Sequence, residues 1–223
     1  MTRLKLLTGE TFASLRVRNF RLFFAGQIVS QTGTWLGMVA QTLLVLHLTD
    51  SGVALGFLAA AQFGPVLVLG AWAGVVADRS DKRKLLLVVQ SLAMVQSFAM
   101  GALAFTGDTA VMAIYAVALA GGVLTAFDNP TRRSFVVEMV PRSHINNAVS
   151  LNSALMIGSR VVGPALAGVL VMTVGFGWTF VVDGASYAAV LIGLAMMRSS
   201  ELHPSPALER AKARIRDLSD QLK

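Results

Sequence analysis

The chain has 223 residues, 55% of them hydrophobic and 14% charged, with a mean hydropathy of +0.65 and a formal net charge of +7. In a water-soluble protein that charge would point to nucleic acid, but here the basic residues fall between long apolar segments, so the charge calls for a lipid bilayer and no nucleic acid. Cysteine is absent, which excludes a disulfide framework, a thiolate metal site and a cysteine nucleophile.

Residues 1–19 carry Arg3, Lys5, Arg16 and Arg18 and read as a cytoplasmic amphipathic segment. They do not read as a cleaved signal peptide, because the apolar run that follows is too long and no small-residue cleavage pattern closes it. The bundle proper is expected over 20–198, as six spans of about the length that crosses a hydrocarbon core. In the first span, roughly 20–48, Gly26, Ser30, Gly33 and Gly37 form a small-residue stripe that lets another helix come close. Gln27, Gln31, Thr34, Met38 and Gln41 form a polar stripe beside it. Unpaired amides in hydrocarbon are costly. The glutamines therefore either bond to neighbouring helices or line a water-exposed cavity, and the length of the stripe favours the cavity.

The second span, roughly 52–77, offers Gly56, Ala60, Gly70 and Gly74 for tight packing, with Gln62 and a kink-prone Pro65 near its middle. The third, roughly 85–106, carries Gln90, Met94, Ser97 and Gly101 on one face. The fourth, roughly 109–130, leads along Ala118, Gly122, Thr125, Asn129 and Arg132 to a polar inner end, with Arg132 assigned to the connection that follows. The fifth, roughly 146–173, aligns Asn146, Ser150, Ser153, Ile157 and Arg160 ahead of Gly163 and Pro164. The sixth, roughly 177–198, contains Asp183. From Pro204 onward Leu208, Ala211, Ile215, Leu218 and Leu222 recur at helical spacing. Residues 199–223 are accordingly expected to form an amphipathic cytoplasmic helix that ends partway, like a linker.

Lys and Arg cluster before span one, between spans two and three, between four and five, and after six. The connections near Asp50, Gly107 and Gly175 carry none. This bias predicts a multi-pass protein of the cytoplasmic membrane with both termini in the cytoplasm. Of the 19 Lys and Arg, only Arg160 is left outside these clusters, and it sits inside a span.

Three segments carry a resemblance. Gly74-Val75-Val76-Ala77-Asp78-Arg79-Ser80-Asp81-Lys82-Arg83-Lys84 resembles the signature loop of the major facilitator superfamily, with Asp81 in place of its second glycine. Phe127-Asp128-Asn129-Pro130-Thr131-Arg132-Arg133, continuing to Glu138-Met139-Val140-Pro141-Arg142 and then to Asn147-Ala148 and Leu151-Asn152-Ser153, is similar to the enterobactin-exporter-like branch of that superfamily. Gly163-Pro164-Ala165-Leu166-Ala167-Gly168 resembles its antiporter motif, with Ala167 in place of a glycine.

The resemblance implies an all-α membrane protein of six transmembrane helices in two inverted three-helix repeats, which is one half of a major facilitator fold. It implies a cytoplasmic gate at Gly74, Asp78, Arg79, Lys82 and Arg83, an inner-end pair at Asp128 and Arg132, and an exporter element at Gly163, Pro164 and Gly168. Independently, a carboxylate at the carboxyl end of a helix opposes the dipole, so Asp78 gains only if a cation or another helix's amino terminus meets it. A second six-helix half is also implied, as missing sequence, a partner chain or a second copy, and the linker-like tail favours missing sequence.

Two ionisable side chains, Arg160 and Asp183, lie well inside the spans. Counting along the helices puts Arg160 at a depth that matches Gln31 and Thr34 and differs from that of Asp183 by about 13 Å, too far for a mutual salt bridge. Arg160 is expected in the cavity with Gln27, Gln31 and Thr34, facing an anionic group, or else tied to backbone carbonyls at a helix break near Gly163. Asp183 is expected near the outer interface, where hydration is cheap, or as a coupling proton site.

The implied function is proton-coupled efflux of a small organic molecule, drug or siderophore-like, by alternating access. The alternative is a non-transporting half-protein or assembly partner. A membrane-embedded enzyme is disfavoured: His47, His144 and His203 are isolated, no acid and histidine cluster has metal-ligand spacing, and no cofactor motif is present.

Overall fold

The computed structural model describes residues 12–107 and 110–203, and among these every regular element is helical. Most of the amphipathic repeat expected over 199–223 lies outside the described residues. Helix α1 is Arg18–Thr49, α2 Gly52–Arg79, α3 Lys82–Phe105, α4 Val111–Glu138 and α5 Ile145–Ala195. Four stretches, Gly52–Arg79, Lys82–Phe105, Val111–Glu138 and Arg142–Ala195, are long and apolar enough to cross a membrane. Helix α1 has the length, at 32 residues, but its middle is diluted by Gln27, Gln31, Thr34 and Gln41.

The helix ends follow local chemistry. Asp50 ends α1 in the left-handed region, φ 46° and ψ 35°, which Asp tolerates better than most side chains. Ser51 caps α2 by accepting from the Ala54 amide. Asp81, where the family pattern has glycine, caps α3 by accepting from the Lys84 amide at 3.2 Å. That departure replaces a flexible turn with a helix start.

Helix α4 runs past the expected limit near residue 130 and ends at Glu138. Pro130 is accommodated, with the Thr131 hydroxyl donating to the Phe127 carbonyl and that of Ser134 to the Pro130 carbonyl. Polar residues after 126 made the span look finished. The helix continues because Phe135, Val136 and Met139 are buried with Phe20, Phe23, Leu86 and Leu194. Arg132 is consequently a buried helical residue and not a loop cation.

Helix α5 breaks at Gly175, whose φ of 82° and ψ of 174° are essentially open to glycine alone. The neighbours of α1 give the direction of the two arms. From the turn before α1 to its far end, Ser14 bonds Asn147, Thr32 bonds Ser159, and Leu46 shares a groove with Val171, so the 145–174 arm is parallel to α1. Along the same helix Leu22 meets Gly193, Gly26 meets Val190, Gly33 meets Ser186 and Gly37 meets Asp183, so the 176–195 arm is antiparallel to it. The chain therefore doubles back at Gly175. Helices α2 and α4 lie parallel, with Tyr115 donating to the Ala54 carbonyl and Trp72 edge-on to Phe127. Helix α3 runs antiparallel to α4 and to the 176–195 arm.

Where lipid replaces water there is little hydrophobic drive between helices, and close contact does the work. A Cβ on Gly26 would lie 2.7 Å from the Ala189 carbonyl oxygen, so glycine is what lets these two backbones touch. The predicted stripe on α2 behaves differently. Gly56, Gly70 and Gly74 meet nothing within 4 Å, and Leu67, Val68 and Trp72 beside them are exposed.

Candidate functional site

A cavity of about 200 Å³ opens among α1, α2, α3, α4 and both arms of α5. Its wall brings together Gln31, Thr34, Asp128, Arg132, Arg160 and Asp183, six of the residues singled out from the sequence. At its centre two i, i+4 pairs face each other, Gln27 and Gln31 on α1 and Asp128 and Arg132 on α4. One Arg132 guanidinium nitrogen donates to both glutamine carbonyl oxygens and the other to the Asp128 carboxylate. Gln90 of α3 donates to the second Asp128 oxygen at 2.6 Å. The glutamine stripe thus does both jobs the sequence left open: Gln27 and Gln31 tie α1 to α4, while Gln31 and Gln41 also face the cavity.

Arg160 is exposed on this wall and makes no hydrogen bond or ion pair with a described residue. Its guanidinium carbon stands 5.1 Å from the centre of the Trp35 ring, a cation–π contact, and not at a carbonyl near the helix break. Trp35 also holds a buried ring N–H without a partner, as Gln27 holds a buried amide nitrogen and Arg132 its Nε.

Asp183 is not at an outer interface. It is 5% exposed, at the level of Gly33 and Gly37 in the middle of α1, with one oxygen accepting from Ser97 at 2.7 Å and the other unpartnered. Residue counting misplaced it because its neighbours on α1 are glycines, which leave a niche the size of a carboxyl group. Tyr187, one turn further on, meets the Thr34 hydroxyl at 3.2 Å.

The signature-loop residues divide. Lys82 is buried with Glu138 at 2.7 Å, and Arg83 donates to the Leu194 and Ala195 carbonyls and to Ser199, closing the end of α5. Asp78 and Arg79 stand exposed and make no such contact with described residues, and Gly74 is open. In the span-five motif Gly163 is pressed against Thr32 and Trp35 of α1, Pro164 lies within the helix, and Gly168 borders an outer groove without close neighbours. Trp35 and Tyr187 were not picked out from the sequence, and Glu138 only as part of the motif after α4, without its buried partner Lys82. Tyr187 was within reach as the i+4 neighbour of an intramembrane acid, but nothing local marks Trp35.

Long apolar helices around a central polar, charged cavity define a multi-pass membrane protein. The chain belongs to the major facilitator superfamily, in its transmembrane secretion effector family, whose family model matches residues 9–217. It is 28% identical over 180 residues to the staphyloferrin A transporter of Staphylococcus aureus, covering 79% of this chain and 45% of that protein. It is 23% identical over 183 residues to macrolide efflux protein A of Streptococcus pyogenes, covering 82% and 45%. To the enterobactin exporter EntS of Citrobacter koseri it is 24% identical over 195 residues, covering 86% and 45%. The chain spans about half the length of the curated relatives it matches. No solved structure matches it.

Proposed function

We propose that this chain forms one half of a secondary transporter that exports a small organic molecule, drug or siderophore-like, from the cytoplasm by proton-coupled alternating access. The observation that carries the reading is the charged cavity at the heart of an apolar bundle. The relatives, named for siderophore and macrolide transport, support export. The alternating direction of α1, α2, α3, α4 and the two arms of α5 supports six membrane spans in two inverted three-helix repeats, and the basic loops support cytoplasmic termini in the cell membrane.

A second six-helix unit, in the same polypeptide, in a partner or in another copy, closes the cavity from the far side. Asp78 and Arg79, left exposed, are its cytoplasmic contacts, while Lys82 and Arg83 brace this half from within. Gln31, Thr34, Arg132 and Arg160 form the cargo wall, Gln27, expected there, instead stands buried behind it holding Arg132, and Asp183 takes up and returns the coupling proton.

The test is flux in proteoliposomes under an imposed pH gradient. The chain is reconstituted with whatever its reading frame encodes downstream, or alone if nothing follows, and offered a macrolide and a siderophore. Gradient-driven movement of either supports the reading, and its absence from correctly folded protein, for a broad cargo panel, defeats it.

A further inference from the structure

We infer that the wall around Arg160 and Trp35 is a subsite for an organic anion, a cargo that presents a carboxylate beside a flat ring. The inference rests on the transport reading for its biological meaning, but its chemistry stands on the balance of donors and acceptors in the cavity. Strong donors stand unpaired. Arg160 has no acidic partner and no hydrogen bond among the described residues, and the buried Trp35 ring N–H and Arg132 Nε have no acceptor. The acceptors nearest these donors are used, while the unpartnered Asp183 oxygen is turned into its niche against α1. Both oxygens of Asp128 are occupied, by Gln90 and by Arg132, and the Gln41 carbonyl accepts from Gln62 at 2.8 Å.

Charge gives the same answer. Arg132 is neutralised by Asp128. Asp183 sits in the niche at Gly33 and Gly37, held by Ser97 and without contact to Arg160. Arg160 is therefore the cation in the wall whose guanidinium has no carboxylate on it.

The Trp35 ring decides the shape. The contact with the indole is a cation–π contact that uses none of the guanidinium N–H groups, and those N–H groups match a carboxylate two bonds at a time. A flat ring attached to that carboxylate can follow the same plane.

The test is binding by the full chain in lipid nanodiscs, with Trp72→Phe and Trp178→Phe so that Trp35 is the sole indole. Benzoate is compared with its neutral isostere benzamide by Trp35 fluorescence, with citrate as a second anionic probe. Charge-assisted bonds predict a preference of at least about tenfold for benzoate. Arg160→Gln should erase that preference. Arg160→Lys should keep its sign and lose part of its size, and covers the case in which Arg160→Gln fails to fold. Equal binding of benzamide, a preference that survives Arg160→Gln, or no response to either anion would each overturn the subsite. No gradient or flux enters the measurement, so an anion preference without transport would defeat only the transport reading, and transport without it only this one.

Discussion

The Lys82 ammonium lies 2.7 Å from the Glu138 carboxylate, with both side chains almost fully buried, so a residue of the signature loop ties the start of α3 to the end of α4. Removing one member of a buried pair leaves the other as an uncompensated charge, at a cost of about 3–5 kcal/mol. Lys82→Met should lower thermal stability in detergent by that order, and Lys82→Met with Glu138→Met should recover most of it. If Lys82 served instead as a contact to the second half, the single variant would keep its stability and lose only cycling.

Asp78 is the reverse case. It is exposed at the carboxyl end of α2, where the helix dipole disfavours a carboxylate, and no described residue offsets it. Asp78→Asn should leave folded yield and melting temperature unchanged or slightly raised while slowing transport in the complete assembly. Normal transport at normal expression would remove Asp78 from the gate.

The helices, their order and the turn at Gly175 were legible because each follows from length, hydropathy and charge along the chain. Arg132 was legible as a residue but not as a place. Hydropathy ends a span where polar side chains begin, whereas the helix ends where packing ends, and Phe135 and Met139 carry the packing two turns further. Asp183 was misplaced for a related reason. Depth counted along one helix does not record that the facing helix has glycines at that level. Arg160 was placed in the cavity by depth, but its partner Trp35 is on another helix and follows no spacing rule.

The two motif glycines of α5 separate packing from pattern. A Cβ on Gly163 would lie 2.8 Å from the Thr32 carbonyl oxygen and 2.5 Å from the Trp35 Cβ, while one on Gly168 would meet nothing within 4 Å. Gly163→Ala should therefore push α5 from α1 and cost roughly 1–3 kcal/mol by thermal unfolding. Gly168→Ala, a better helix former in open space, should change stability by no more than about 0.5 kcal/mol or raise it. Equal effects would mean that the close approach of α1 and α5 is not what the motif secures.

Asp183 offers the sharpest separation of coupling from cargo binding. Its carboxyl faces the backbone of α1 at Gly33 and Gly37, takes one hydrogen bond from Ser97, and has no cation within ion-pairing distance among the described residues. A group so placed can gain or lose a proton without breaking an ion pair, and Asn fits the same niche while removing that capacity. In the complete transporter Asp183→Asn should exchange labelled for unlabelled cargo at close to the original rate, yet fail to accumulate it under a pH gradient. Gly37→Ala, whose added carbon would strike the Asp183 carboxylate, should weaken accumulation and stability together. Accumulation that still follows the gradient in well-folded Asp183→Asn would place the proton on another residue.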